Sequence, residues 1–126
     1  MMTSEAARSA EQAAEAIRAI NHATISTGGF EPSDVYDIVA ELAVLTQRLP
    51  QAFGQLARIV EQLHANGRVG FDTGSLFASD AADGVVELRA VFDRASERAG
   101  EVRYALDDAQ RILSAAHRVD PVTTVR

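Results

Sequence analysis

The stretch from Val35 to Leu63 constrains the fold most, because apolar side chains recur along it at alternating steps of three and four residues. This spacing keeps one stripe on one side of a helix over about four heptads, and it is typical of coiled coils and helical bundles. The stretch therefore predicts one long helix at about residues 33–66. Its first stripe consists of Val35, Ile38, Leu42, Leu45, Leu49, Ala52, Leu56, Ile59 and Leu63.

A second apolar stripe runs beside the first and includes Val39, Phe53 and Val60. Two adjacent stripes make the apolar side of this helix wider than one neighbouring helix requires. We expect the first stripe to face another helix of the same chain. The second stripe, at Val39, Phe53 and Val60, is the candidate interface with a partner.

Pro50 lies inside this predicted helix and permits two interpretations. A proline removes one backbone hydrogen bond and clashes with the carbonyl four residues earlier, at a cost of about 3 kcal/mol in a helix interior. The helix either breaks and restarts at Pro50 or continues with a kink. The apolar spacing continues from Leu49 to Ala52 and Leu56 without an offset, which favours a kinked, continuous helix.

Two further helices are predicted on either side of the central one. Ser4 is a suitable N-cap for a first, alanine-rich helix at about residues 4–25. Ser79 or Asp80 is expected to cap a third helix at about residues 79–118. Before it lies a glycine-rich loop in which Phe71, Leu76 and Phe77 are expected to fold back over the bundle end. The tail at residues 119–126 is expected to be disordered.

The two long helices are expected to pack antiparallel about a turn centred on Asp72. In that register Leu49 faces Ala95 and Phe92 faces Ala52, so that large side chains meet small ones. The predicted fold is all-α, a three-helix antiparallel bundle with a short helix 1 and two long helices. We expect the bundle to form a single domain over residues 1–126.

Composition excludes several classes of site. The chain has 126 residues, no cysteine and a formal net charge of −6, so it has no disulfide or thiolate chemistry and is a poor candidate for nonspecific binding to nucleic acid or to an anionic membrane. No segment approaches the ~20 apolar residues of a membrane span, and no secretory signal begins the chain. We therefore expect a cytoplasmic protein that binds neither nucleic acid nor membrane.

No catalytic, cofactor-binding or metal-ligating constellation is expected. The three histidines lie far apart in sequence and lack a second ligand three or four residues away. Acids and arginines alternate along the third helix, as on a solvated surface. One candidate polar site remains at the end of the bundle, formed by Asn21, His22 and Tyr36.

Short motifs of this chain resemble those of two groups of proteins. The runs at residues 19–22, 32–36 and 48–52 resemble a family of small helical actinobacterial proteins, and this resemblance over residues 17–66 implies a helical fold but no particular activity. Tyr104 and Asp108 match Y-x-x-x-[DE], which resembles the export motif of type VII secretion substrates. Those proteins are also helical hairpins, but the W-x-G of their loop is missing here, and we interpret Tyr104 instead as a half-buried residue on the flank of its helix.

These features predict a non-enzymatic helical interaction or adaptor protein, which acts as a homodimer or binds a helical protein partner. The absence of a catalytic constellation and the width of the apolar side of the central helix support this prediction. A type VII secretion-like exported hairpin is the first alternative. A small ligand-binding bundle, with its site at Asn21, His22 and Tyr36, is the second.

Overall fold

A computed structural model of the chain describes residues 3–72 and 81–120 and contains three helices there: α1 at Glu5–Ala23, α2 at Pro32–Ala65 and α3 at Ala81–Ser114. No strand occurs among those residues, which confirms the predicted all-α class. The chain divides into two compact units, Met1–Glu31 with α1 and Pro32–Arg126 with α2 and α3. The packing of α1 on the long helices and the single-domain organisation stay predictions.

Local hydrogen bonds define both ends of α1. The backbone N–H of Ala7 donates to Ser4 Oγ over 3.1 Å, which confirms Ser4 as the N-cap. At the other end, Thr24 Oγ1 donates to the carbonyl of Ile20 over 2.8 Å. Ile17 and Ile20 are half-buried, and the remaining residues of α1 are exposed. The alanine-rich sequence of this helix thus buries little apolar surface.

The C-terminal end of α2 has the hydrogen bonds of a Schellman motif. Gly67 N–H donates to the carbonyl of His64 over 2.9 Å, and Arg68 N–H donates to the carbonyl of Leu63 over 2.8 Å. Gly67 has a φ of +68°, a left-handed conformation that favours glycine. The helix therefore ends at Ala65, one residue before the predicted end.

The α2 helix continues through Pro50 without a break. The alternative with a helix restarting at Pro50 is therefore wrong, and the continuous apolar spacing was the correct guide. Pro50 cannot donate to the carbonyl of Thr46 because it has no N–H. One turn before the proline, Thr46 Oγ1 donates to the carbonyl of Ala43 over 2.9 Å.

The α3 helix ends at Ser114, four residues earlier than predicted. Ser114 Oγ donates to the carbonyl of Arg111 over 2.6 Å, and Ala115 and Ala116 donate to carbonyls three residues back, so the last turn tightens. The helix therefore stops before the Asp-Pro pair at residues 120 and 121. The described residues exclude the predicted N-cap residues Ser79 and Asp80, the loop residues Leu76 and Phe77, and most of the predicted disordered tail.

The α2 and α3 helices pack antiparallel as a hairpin. Phe53 of α2 stacks on Phe92 of α3, with ring centroids 6.1 Å apart, whereas the sequence placed Phe92 opposite Ala52. The aromatic contact of Phe92 is therefore with the residue that follows the expected one. Near the loop, a Cβ at Gly84 would collide with the ring of Phe71, which confirms that this phenylalanine folds back against the helices.

The buried centre of the hairpin consists of small side chains. Among the described residues, the buried hydrophobic side chains are those of Ala43, Ala57 and Ala99, and no large side chain is fully buried. Alanine lets two helix backbones approach closely but buries little apolar area per residue. Part of the large apolar surface of α2, at Leu56, Ile59 and Leu63, stays exposed.

The structure departs from the predicted roles of the two stripes along the second half of α2, whereas Ile38 and Leu45 of the first stripe are half-buried. Val39, Phe53 and Val60, which were expected to face a partner, are half-buried, and Phe53 stacks on α3. Leu56 and Ile59, which were expected to face α3, are exposed. Both stripes have helical spacing, but only the second has Ala43 and Ala57 beside it, and these small residues permit the closer approach of α3.

Candidate functional site

An ion pair between Arg89 and Glu61 identifies one side of the hairpin. At about 100° per residue, Leu56, Ile59 and Leu63 lie on the opposite flank of α2 from Glu61. By the same geometry, Val91 and Val102 lie on the opposite flank of α3 from Arg89. These five aliphatic residues therefore share one side of the hairpin, which we call the apolar face.

The apolar face is exposed over much of its length. Ile59 is 54% exposed and Leu56 46%, and Val91 and Val102 are exposed to a similar degree. Along the same edge of α2, Ile38, Leu45 and Leu49 are half-buried. A continuous apolar surface of this kind, on a helix pair with few buried large side chains, is typical of a protein interaction site.

Several charged residues on α3 are paired within their own helix. Arg98 binds Glu101 at 2.9 Å, and Arg111 binds Asp108 at 3.1 Å. Arg103 and Asp107 are 3.7 Å apart. These ion pairs are largely exposed to solvent and contribute little to stability. Their opposite charges partly neutralise one another along the surface of α3, as the alternating acids and arginines of the sequence predicted.

The charges beside the apolar face on α2 are arranged differently. Glu41 lies between Ile38 and Leu45 in sequence, and Arg48 lies between Leu45 and Ala52, so both follow the outer edge of the face. Both side chains are exposed, and neither forms an ion pair within the described part of the chain. Sequence reasoning missed this pair, although its heptad spacing was a signal that could have identified it.

The predicted polar residues Asn21 and His22 lie in the last turn of α1 and are exposed. His22 lines a surface depression of about 250 Å³ together with Glu15, Arg18 and Ala19. Arg18 and Glu15 form an exposed ion pair at 3.4 Å. This depression carries one carboxylate, one guanidinium and one imidazole on the surface of a single helix.

Tyr36, the third predicted polar residue, is half-buried near the start of α2. It lines a depression of about 310 Å³ with Ser33 and with Leu113, Ser114 and Ala116 from the end of α3. The hydroxyls of Tyr36, Ser33 and Ser114 are the side-chain polar groups of this depression. The common site of Asn21, His22 and Tyr36 stays a prediction.

Tyr104 and Asp108 lie one turn apart on α3, and both are exposed. Tyr104 is 73% exposed, so the interpretation of this residue as half-buried is wrong. Asp108 pairs with Arg111 three residues later. The tyrosine ring is thus available on the surface of the helix, next to a carboxylate that already has an arginine partner.

The described residues contain no group of three or more His, Asp or Glu side chains that could hold a metal ion. Within the same residues, no buried side-chain nitrogen or oxygen lacks a hydrogen-bond partner. An unsatisfied buried polar group is a common mark of a ligand or catalytic site.

No protein-family model, curated protein or solved structure matches the chain. None of the described helices combines the length and the hydropathy that crossing a bilayer requires.

Proposed function

We propose that this chain is a non-enzymatic interaction protein of the cytoplasm, and that the apolar face of the α2–α3 hairpin binds a helical protein. The observation that carries the proposal is the unequal burial of the two stripes on α2. The hairpin contact buries alanines, while Leu56 and Ile59 remain exposed beside it. Binding a helix on this face would remove large aliphatic side chains from water, at about 25 cal/mol for each Å² of apolar area.

The shape of the face supports a helical partner. Its residues on α2 follow the three-and-four spacing into which side chains of a second helix fit as knobs into holes. The α2 helix has 34 residues, which corresponds to about 50 Å at 1.5 Å per residue. A long, narrow ridge of this kind suits another long helix better than it suits a compact small molecule.

Site-specific photo-crosslinking in living cells tests this proposal. A photoreactive phenylalanine analogue replaces Leu56 on the apolar face, and the control replaces Val86, which is 67% exposed and lies on the outer side of α3. We expect protein adducts from position 56 and few from position 86. Equal yields at the two positions, or no adduct at position 56, would contradict the proposal.

Export by a type VII secretion-like system is the second candidate, and the exposure of Tyr104 favours it. A receptor could reach this ring without unfolding the helix. We expect export from a secreting cell to be lost in Tyr104→Ala and kept in the control Ile112→Ala, where the replaced side chain is similarly exposed on the same helix. Retention of the wild-type chain inside such a cell would dismiss this candidate.

A further inference from the structure

We propose that the apolar face binds a second copy of this chain, and that the α2 helices of the two copies run antiparallel. This inference rests on the proposed function and names its partner. The argument comes from the distribution of charge along the edge of the face. The aliphatic side chains of the apolar face alone would accept many helices. The charges beside them favour one partner and one orientation of its helix.

The charge on α2 changes sign along the helix. From its start to Glu41, the charged residues of α2 are Asp34, Asp37 and Glu41, and all three are acidic. Arg48 and Arg58 follow, accompanied by one acid at Glu61, which is paired with α3. Two parallel copies of α2 would place acids beside acids, whereas two antiparallel copies place acids beside arginines and also oppose their helix dipoles.

Glu41 and Arg48 define how the two copies align. They lie seven residues apart on the same edge of the ridge, a separation of about 10 Å along the helix. In a two-fold antiparallel pair, Glu41 of one copy meets Arg48 of the other, and the same contact forms again across the axis. An isologous interface always repeats a contact in this way.

The alignment also brings the two α2 helices into contact from Ile38 to Leu49 and places Leu56 opposite Ser33 of the other copy, at the edge of the overlap, whereas Ile59 and Leu63 lie beyond it. The two-fold axis passes beside Leu45, so Leu42 and Leu49 of both copies surround it. These leucines are half-buried in the single chain and would become fully covered. The result is an antiparallel four-helix arrangement in which each hairpin supplies two helices, an architecture with well-packed natural examples.

Reversal of the two charges tests this proposal by sedimentation equilibrium at low salt. We expect Glu41→Arg and Arg48→Glu each to weaken the dimer about ten-fold or more, because each single variant places like charges together at both contacts. The double variant E41R/R48E restores the attraction and should dimerise within about three-fold of wild type. Arg58→Glu is the matched control, because it makes the same charge change away from the ridge and should leave the affinity unchanged.

Mixing the two single variants gives a sharper result. Glu41→Arg supplies two arginines and Arg48→Glu supplies two glutamates, so a mixed pair has attraction at both contacts. We expect the mixture to form a heterodimer at concentrations where each variant alone is a monomer. This test also holds if the double variant fails to fold, and circular dichroism melting curves confirm that each single variant is folded.

Several results would overturn the proposal. A wild-type chain that remains monomeric to millimolar concentration excludes the dimer, and so do single variants that weaken association no more than Arg58→Glu does. Photo-crosslinking at position 56 distinguishes the absence of a homodimer from the absence of any helical partner on the apolar face. An adduct with twice the mass of the chain supports the second copy, an adduct of another mass indicates a different helical partner, and a crosslink within one chain shows that another part of the same chain covers the face.

Discussion

The rings of Phe53 and Phe92 stack across the hairpin, with their centroids 6.1 Å apart and their planes inclined at 24°. The buried hydrophobic side chains described in this hairpin are those of alanines, so the two rings supply a large apolar contact between α2 and α3. This aromatic pair therefore holds the register of a contact that otherwise contains few large side chains.

We expect Phe53→Ala and Phe92→Ala each to lower the free energy of unfolding by about 2–3 kcal/mol, somewhat less than full burial would give, because both rings are half-buried. The two effects should not add, and the coupling between them should be about 0.5–1.5 kcal/mol. Urea denaturation of the two single variants and the double variant measures this cycle. Additive losses, or a loss no larger than that of the exposed control Val86→Ala, would contradict a role for the stacked rings.

Pro50 is expected to lower the stability of the hairpin. Replacement by alanine restores the hydrogen bond to the Thr46 carbonyl and removes a ring that clashes with the preceding turn. We expect Pro50→Ala to raise the free energy of unfolding by about 2 kcal/mol, and amide exchange at residue 50 should be strongly protected. A less stable variant would instead show that packing of the half-buried proline ring outweighs the lost hydrogen bond.

Gly84 and Gly100 should respond oppositely to the same substitution. Both lie inside α3, where alanine is favoured over glycine by about 1 kcal/mol. A Cβ has open space at Gly100 but would collide with the Phe71 ring at Gly84. We therefore expect Gly100→Ala to raise the melting temperature and Gly84→Ala to lower it.

The Phe71→Ala background supplies the control for this pair. Without the ring, the collision at Gly84 disappears, and Gly84→Ala should then stabilise the chain about as much as Gly100→Ala does. Differential scanning calorimetry of the four combinations of residues 71 and 84 measures the interaction. If Gly84→Ala is stabilising in the wild-type background, the Phe71 ring moves aside at negligible cost.

The ion pair between Arg89 and Glu61 is expected to contribute modestly, because both side chains are partly exposed. We expect Glu61→Gln to lower the free energy of unfolding by about 0.5–1 kcal/mol at low salt. Screening should remove most of this difference at 1 M salt, where the Debye length falls to about 3 Å. Glu97→Gln on the exposed surface of α3 is the control, and an equal loss in the two variants would show that the pair has no special role.

The positions of the helices were predictable because their signals are local. The bounds of α1 and α2 differ from the predictions by two residues or fewer. The hydroxyl of Ser4 caps α1, and the left-handed backbone of Gly67 ends α2. The end of α3 was predicted less well, because the hydroxyl of Ser114 tightens the last turn before the stronger stop signal at Pro121.

The apolar face itself was not predictable from spacing alone. Two stripes on α2 have helical periodicity, and the larger aliphatic residues of the first made it the expected contact with α3. Which stripe packs on α3 depends on how closely the two helix backbones can approach. The small side chains of Ala57 on α2 and Ala99 on α3 determine that distance. Pairwise packing of this kind links residues that are distant in sequence, so a pattern within one helix does not reveal it.

The alanines between α2 and α3 have a consequence for how this chain tolerates substitution. In most proteins a scan of random replacements finds leucines the least replaceable residues, because they fill the interior. Here Ala43, Ala57 and Ala99 should reject every larger side chain in a screen for folded protein, while Ile59 and Leu56 should accept most residues. A second screen that selects for association should invert this ranking, so that the difference between the two profiles maps the recognition surface residue by residue.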